Sequence, residues 1–566
     1  MRTDEAPVVR HHSPTGKSWY ELGCYSSITL DRRIETAAAR YPEDRITFVS
    51  DERPASTTIA AIIRDAEQVS SALWALGVRG GDRIAIQVPN WREGYLLNLA
   101  SLRIGAAFVP IVTTYGDSEI RFILEDAGAR VFFCPTNFRR RGYVDAALAL
   151  QRDGLVDELI FIADESVPSG TMNWQTFMGL KPREALVRAA DADAVCAIFY
   201  TSGSTARPKG VRHTHNTLGF EIREGFFGVA ASGPGLFVVP MTHMGGWMLA
   251  FDVFMVGGGD FVMDAWDPDE AARLIAQHRL RRFAATPFHH SQLMDSADRL
   301  HLDISPLTSC SSGSTVVPTA LVKRALEHGL TLCRCYGSSE HPTISQIYEN
   351  DPPEFRATTD GRIVPCSSVR IVDEHNHDLP RGAPGEILSS GPELFVGYTD
   401  KALNDEAFSD NCWFRTGDVG VLNEQNYLAI TGREKDIIIR GGEKISSREV
   451  EETLATHPSV AESAAVAAPD PYYTEKVCAF VLLKSGMEVS LQEVIRHFAA
   501  SGLAKLKTPE RLVVLDEFPR TVLGKVAKKE LRKYLDGEPS VLGVLLDQVA
   551  PQQQPAASAG AKLSAR

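Results

Sequence analysis

Near the start of the chain the apolar positions switch repeatedly between two periods. From Ile62 to Leu76 they recur at helical spacing, Arg83–Gln87 is an apolar run of strand length, Glu93–Leu102 returns to the helical period, and Arg130–Cys134 is strand-like again. This alternation predicts an α/β architecture with a largely parallel sheet, because parallel strands need a long crossover that a helix supplies. The same order recurs at Asp193–Tyr200, Pro234–Val239, Pro268–Ala276 and Arg281–Ala285, so stacked α/β lobes are expected. After Pro365 the texture changes to short β pieces with turns, Val369–Val372, Gly385–Leu388 and Tyr427–Thr431, which predicts a β subdomain. From Asp436 to Tyr534 the pattern reads β-turn, helix (Ser447–Thr456), strands (Val460–Ala467, Lys476–Leu483), helix (Leu491–Ala499), strand (Arg511–Val514) and a basic helix. That is an α+β unit of about 100 residues, enough for a small domain.

Composition narrows the class. The chain has 566 residues, of which 44% are apolar and 23% charged, so it has cores to bury and disorder as a whole is excluded. Only the end, from Pro551 onward, is rich enough in Gln, Pro, Ala and Ser to read as disordered. The 59 basic and 72 acidic residues leave a net charge of −13, which offers no electrostatic footprint for nucleic acid. No run approaches the roughly 18 apolar residues of a membrane-spanning helix. Met1-Arg-Thr-Asp-Glu5 lacks the order of a secretory signal and Ser564-Ala-Arg566 is no peroxisomal address, so a soluble, cytoplasmic protein is expected. The nine cysteines are expected to be reduced and buried, since Cys333-x-Cys335 has no second pair at zinc spacing. His213-x-His215 and His289-His290 have no nearby acidic or thiol partners to complete a metal site, and read as core or solvated histidines.

The candidate chemistry begins at Tyr200-Thr-Ser-Gly-Ser-Thr-Ala-Arg-Pro-Lys-Gly210, directly after the apolar stretch Ala194–Tyr200. Small residues let backbone N–H groups approach an anion, the hydroxyls of Thr201, Ser202, Ser204 and Thr205 can donate to phosphate oxygens, and Lys209 adds a point charge. Gly203 and Lys209 do not fit a Walker A loop, no G-x-G-x-x-G supports a dinucleotide site, and Ser202 and Ser204 lack the flanking glycines of a nucleophile elbow. The alternative for the isolated segment is a Ser/Gly-rich surface loop.

The segment resembles the phosphate loop of the adenylate-forming superfamily, which holds acyl-CoA synthetases, aryl-acid ligases, peptide-synthetase adenylation domains and luciferases. Ala206 stands where that family usually has Gly. The resemblance continues in order to Tyr534. Tyr336-Gly-Ser-Ser-Glu340 resembles the adenine and metal motif, so Tyr336, with Gly337, Ser338 and Ser339, takes the adenine face, Glu340 the Mg²⁺, and Thr205 supplies a supporting oxygen. Trp413-Phe-Arg-Thr-Gly-Asp418 resembles the ribose motif, with Asp418 accepting from the vicinal hydroxyls. Gly432-Arg-Glu-Lys-Asp436 resembles the hinge segment, with Arg433 reaching ribose or phosphate and Lys435 at the pivot. Arg440-Gly-Gly-Glu-Lys-Ile445 is then the loop whose Gly441, Gly442 and Lys444 line the CoA channel. Pro519-Arg-Thr-Val-Leu-Gly-Lys525 resembles the C-terminal catalytic motif, with Lys525 as its lysine; Lys528 and Lys529 read as a solvated helix start.

The resemblance implies an AMP-forming acid–thiol ligase with ATP, Mg²⁺ and CoA. A carboxylate attacks the α-phosphorus, pyrophosphate leaves, and a thiol then expels AMP, with Lys525, Thr205, Glu340 and His243 catalytic. Pro240-Met-Thr-His-Met-Gly-Gly-Trp247 matches the acyl-pocket motif, His243 being its gate. Met244 follows the gate where amino-acid-activating relatives carry Asp and siderophore aryl-acid ligases carry Asn, so an uncharged aliphatic, alicyclic or plain aromatic acid is expected. Trp247, Phe288, Gly313, Ser314 and Thr343 complete the expected lining. The implied domains are an extension over 1–29, an adenylate-forming domain over 30–434, a mobile C-terminal domain over 435–545 and a disordered tail over 546–566. A separate carrier protein is the rival acceptor to CoA, and the expected assembly is a monomer or homodimer.

Overall fold

The computed structural model describes residues 12–201, 207–223, 233–315, 317–409, 413–433, 436–440, 443–501, 503–521, 524–538 and 542–549. The chain divides into two compact units, one of Met1–Ile430 with Val522–Lys525, the other of Thr431–Thr521 with Val526–Arg566.

The first unit contains two mostly parallel sheets. In one, Val195–Thr201, Ala107–Pro110, Arg83–Ile86, Val131–Pro135, Glu158–Ile162 and Met172–Asn173 run parallel, and Lys209–Thr214 closes the edge beside Val195–Thr201 in antiparallel fashion. Every residue of Ala107–Pro110 and Val131–Pro135 is buried, as expected for strands covered by helices on both faces. One cover is the helix Arg92–Ile104, and against it packs the helix Ile59–Ala75, which starts where Thr58 Oγ1 accepts from Ala61 N (3.2 Å) and buries Ile59, Ile62, Ala66, Val69 and Leu73 along one stripe. The second sheet has the parallel order Leu332–Tyr336, Ser309–Ser312, Arg282–Ala285, Gly235–Phe237, Asp260–Met263, Arg45–Val49, with antiparallel pieces at both edges. Val195–Thr201 and Leu332–Tyr336 both run out at their carboxyl ends into the loops that carry the phosphate and adenine motifs. In open parallel sheets that end is where ligands bind, because the loops there are free to vary.

The β subdomain is antiparallel: Ser368–Val372 pairs with Gly385–Ser390, which pairs with Trp413–Leu422, and Leu428–Arg433 adds to the same strand. All seven tryptophans of the chain, Trp19, Trp74, Trp91, Trp174, Trp247, Trp266 and Trp413, fall in the first unit.

The second unit is built on a sheet whose centre is Thr474–Leu483, flanked by Val460–Asp470 and Arg511–Leu515. Successive side chains of the central strand serve two cores: Val477, Ala479 and Val481 join the helices Ser447–Ala455 and Leu491–Ala500 on one face, while Cys478 and Phe480 meet Leu531 of Lys528–Leu535 on the other. The sheet does not stop at 545. Val544–Val549 forms a further strand antiparallel to Arg511–Leu515, held by Asp547, which takes Arg511 (2.6 Å) and the Tyr534 hydroxyl (2.6 Å). Residues 546–549 are therefore ordered sheet rather than tail.

Candidate active site

The site grows from the two strand ends. Tyr200, at the end of its strand, donates its hydroxyl to Asp126 (2.5 Å), and the Thr399 hydroxyl donates to the same carboxylate (2.7 Å). Thr399 N also bonds Gly210 O (2.8 Å), and a methyl group on Gly210 would lie 2.5 Å from Thr399 Oγ1, so only glycine permits this approach. Residues 397–399 are thereby fastened to the antiparallel strand Lys209–Thr214, and Val211 and Tyr398 face each other across an antiparallel bridge. The ammonium of Lys209 lies 5.2 Å from the Tyr398 ring centroid, within cation–π range. Thr201 ends the strand; Ser202, Gly203, Ser204 and Thr205 lie outside the described residues.

The second strand end is a tight turn. A methyl group on Gly337 would sit 1.9 Å from Pro342 O, so the chain crosses itself at a point where no side chain fits. Ser338 N closes onto His341 O (2.9 Å), Phe395 N holds Glu340 O (2.8 Å), and His213 Nε2 donates to Ser339 O (2.8 Å). Burial first, and then His341, hold the His213 imidazole at about 4, so it stays neutral and donates from one nitrogen only. Two phenols orient the acids of the site: Tyr336 donates to Asp418 Oδ2 (2.7 Å) and Tyr398 to Glu340 Oε1 (2.8 Å). Burial and the Glu340 carboxylate push the Tyr398 phenol far above its ordinary range, so it donates throughout the working pH range.

Behind this turn lies an acidic network that no local motif announces. His341 Nε2 meets Glu393 Oε1 (3.1 Å) and its Nδ1 meets Ser389 (2.9 Å); Ser367 also donates to Glu393 (2.7 Å). Thr343, expected as neutral pocket lining, donates to Glu221 (2.6 Å). Burial, and then the charge of Glu393, push Glu221 up to about 8. One oxygen of each carboxylate is buried with no partner among the described residues.

The expected acyl-pocket residues all belong to the first unit. His243 precedes the helix Met244–Val256 in extended conformation, and a methyl group on Gly246 would lie 2.0 Å from Pro240 O, which explains the glycine in this turn. Burial, then the charge of Lys525, hold the His243 imidazole at about 4, and its Nε2 is buried without a partner among the described residues. Gly524, at φ +74°, sets its α-carbon so close to Phe288 that a methyl group would lie 3.0 Å from the ring; Gly524 and Lys525 group with this unit. A methyl group on Gly313 would lie 2.5 Å from Cys335 Sγ, and Ser314 takes a left-handed φ of 67°. Met244 and Trp247 are buried, and Trp247 stacks on Phe251 (4.6 Å) and Phe108 (5.7 Å) as part of the aromatic core. Of the remaining expected residues, Arg433 ends a strand and belongs to the second unit, Lys435, Gly441 and Gly442 lie outside the described residues, and of Lys444 only the backbone is described.

Tyr398, Asp126, Glu221, Glu393 and His341 are the residues the sequence did not disclose. For Tyr398 a signal existed: an aromatic between Gly397 and Thr399, following the apolar run 394–396, marks the end of a buried apolar stretch where a ring can face a site.

Comparison with known proteins covers most of the chain. The description "AMP-binding enzyme" matches residues 34–399 and "AMP-binding enzyme C-terminal domain" matches residues 449–525. A medium-chain fatty-acid–CoA ligase of Escherichia coli is 34% identical over 503 residues, covering 88% of each chain. An indoleacetate–CoA ligase of Aromatoleum aromaticum is 30% identical over 503 residues, 88% of this chain and 94% of its own. Among solved structures, ATP-bound MatB from Rhodopseudomonas palustris shares the fold at a TM-score of 0.79 and 24% identity, over 90% of this chain and 99% of its own. The order of motifs, the two-unit fold and these matches agree, and the chain belongs to the AMP-binding enzyme family.

Proposed function

We propose that the chain is an ATP-dependent acyl-CoA synthetase that converts an uncharged carboxylic acid to its acyl-adenylate with release of pyrophosphate, and then passes the acyl group to CoA. The observation that carries this reading is the pairing of each candidate acid with a phenol: Tyr336 on Asp418 and Tyr398 on Glu340, with Lys209 beside the second ring. Asp418 accepts from the ribose hydroxyls and Tyr336 offers its ring face to adenine. Mg²⁺ enters with ATP, and Glu340 is a hard oxygen donor of the kind that a phosphate-bound Mg²⁺ takes as one of its few protein ligands. Thr205 and residues 201–204 hold phosphate oxygens. Lys525 balances the charge that builds as pyrophosphate departs, and His243, neutral because it is buried, gates the acid without competing for its carboxylate. The domain boundaries near 434 and 545, a pivot at Lys435 and a CoA channel along Gly441, Gly442 and Lys444 belong to this reading, as does a cytoplasmic location.

The names of the relatives, a fatty acid in one and indoleacetate in the other, support an uncharged aliphatic or aryl acid. The test is pyrophosphate release over a panel of carboxylic acids followed by thioester formation. Release with uncharged acids and transfer to CoA is expected; release with amino acids alone overturns the acid assignment, and an adenylate passed only to a carrier protein overturns the acceptor. Lys525→Ala is expected to lose adenylation by more than a hundredfold, the order seen when one transition-state charge partner is removed, yet to retain thioester formation from supplied acyl-adenylate.

A further inference from the structure

Lys209 and Glu340 are opposite charges that meet the same phosphates in the proposed reaction, yet no ion pair joins them among the described residues. Between them stands Tyr398. Its ring carries the Lys209 ammonium at 5.2 Å and its hydroxyl donates 2.8 Å to Glu340 Oε1. The residue is itself fixed: it is 4% exposed, its N–H bonds Asn404 Oδ1 (2.7 Å), its backbone bridges to Val211, and its ring packs edge-on against Phe395 at 4.8 Å. A rigid neutral group thus touches the cation with its face and the anion with its edge, each by the interaction suited to that charge.

We propose that Tyr398 is a positioning residue that keeps Lys209 and Glu340 apart and separately aimed before nucleotide binds, so that Lys209 is available to phosphate and Glu340 to Mg²⁺. Without it, a lysine and a carboxylate on adjoining elements would pair with each other, and ATP would have to break that pair on every cycle. The inference rests on the nucleotide reading above. It goes beyond it in assigning the spacing of the two charges to a third residue that touches neither phosphate nor acid.

The two contacts can be removed separately, and ATP binding can be followed by calorimetry with and without Mg²⁺, independently of turnover. Tyr398→Phe keeps the ring and loses the hydroxyl. ATP affinity without Mg²⁺ is then expected to stay within about twofold, while the gain in affinity that Mg²⁺ brings falls roughly tenfold, the worth of one hydrogen bond to a charged group. Tyr398→Leu also removes the ring, and ATP affinity without Mg²⁺ should fall as well because Lys209 becomes engaged by Glu340. Adding Glu340→Gln to Tyr398→Leu should restore part of that loss by removing the competing anion. Equal losses with and without Mg²⁺ in Tyr398→Phe, or no rescue in the double variant, overturn the spacer role while leaving the nucleotide site intact. Unaltered protein whose ATP affinity does not respond to Mg²⁺ would instead overturn the assignment of Glu340, and the spacer role with it.

Discussion

Glu221 and Glu340 are the same kind of residue in different surroundings. Glu340 accepts a phenolic hydrogen bond at the turn of the adenine motif, whereas Glu221 is fully enclosed, holds one hydrogen bond from Thr343 and is pushed up to about 8 by burial and by Glu393. The folded protein therefore keeps a proton on Glu221 that the unfolded chain releases near its ordinary value of 4.5. A carboxyl raised in this way contributes stability that is complete below pH 4.5 and is lost as pH rises through 8, at up to about 1.4 kcal/mol per pH unit. Glu221→Gln, which keeps the acceptor for Thr343 and cannot ionise, is expected to flatten that decline. Melting temperatures taken between pH 6.5 and pH 8, above the range in which the buried histidines act, check it; a variant that declines as steeply as the parent shows that Glu221 is not the group responsible. At this scale the sequence was legible where chemistry is local. Lys209, Tyr336 and Lys525 each stand beside a glycine at which the backbone passes close to a neighbour, a methyl group lying 2.5 Å from Thr399 Oγ1 at Gly210, 1.9 Å from Pro342 O at Gly337 and 3.0 Å from Phe288 at Gly524. Glu221 and Glu393 were illegible because their character is set by enclosure, and enclosure arises from contacts between segments distant in the chain, 122 residues for Thr343 and Glu221 and 52 for His341 and Glu393.

At the scale of elements, periodicity carried most of the information. The helix expected over 62–76 is Ile59–Ala75, that over 491–499 is Leu491–Ala500, and the strand expected over 476–483 is Thr474–Leu483. Their ends moved because caps and pair partners, rather than apolar spacing, set the last residue. The cap of Leu491–Ala500 is a reciprocal box: Ser490 accepts from Glu493 N, and Glu493 accepts from Ser490 N at 2.7 Å. Ser490→Ala removes the half in which the hydroxyl accepts from Glu493 N, leaves the backbone N–H of residue 490 to donate to Glu493, and should lower the stability of the second unit by about 1 kcal/mol. Urea unfolding followed by far-ultraviolet circular dichroism measures this, with an unchanged midpoint counting against a structural role for the box. Val544–Val549 escaped notice for a different reason. Leu545, Leu546 and Val549 are exposed, so the strand has no buried alternation to read, and it exists through backbone pairing and the Asp547 contacts.

For the whole molecule, the decisive asymmetry is where the histidines lie. His213, His215, His243, His289 and His290 are all held near 4, each chiefly by burial, and all belong to the first unit. A histidine depressed from 6.5 contributes stability above pH 6.5 that is lost as pH falls toward 4, since the unfolded chain binds protons there that the folded one refuses. The sign is opposite to that of Glu221, and the histidines outnumber it. The first unit is therefore expected to unfold steeply between pH 6.5 and 4, with an uptake approaching five protons, ahead of the second unit. Coincident acid unfolding of both units would contradict this. The confinement of every tryptophan to the first unit turns that experiment into a two-colour one. Indole emission watches only the lobes that hold the histidines, the second unit is dark in that channel, and a tryptophan introduced into it, at Phe480 for example, would give the molecule a second lamp against a known background.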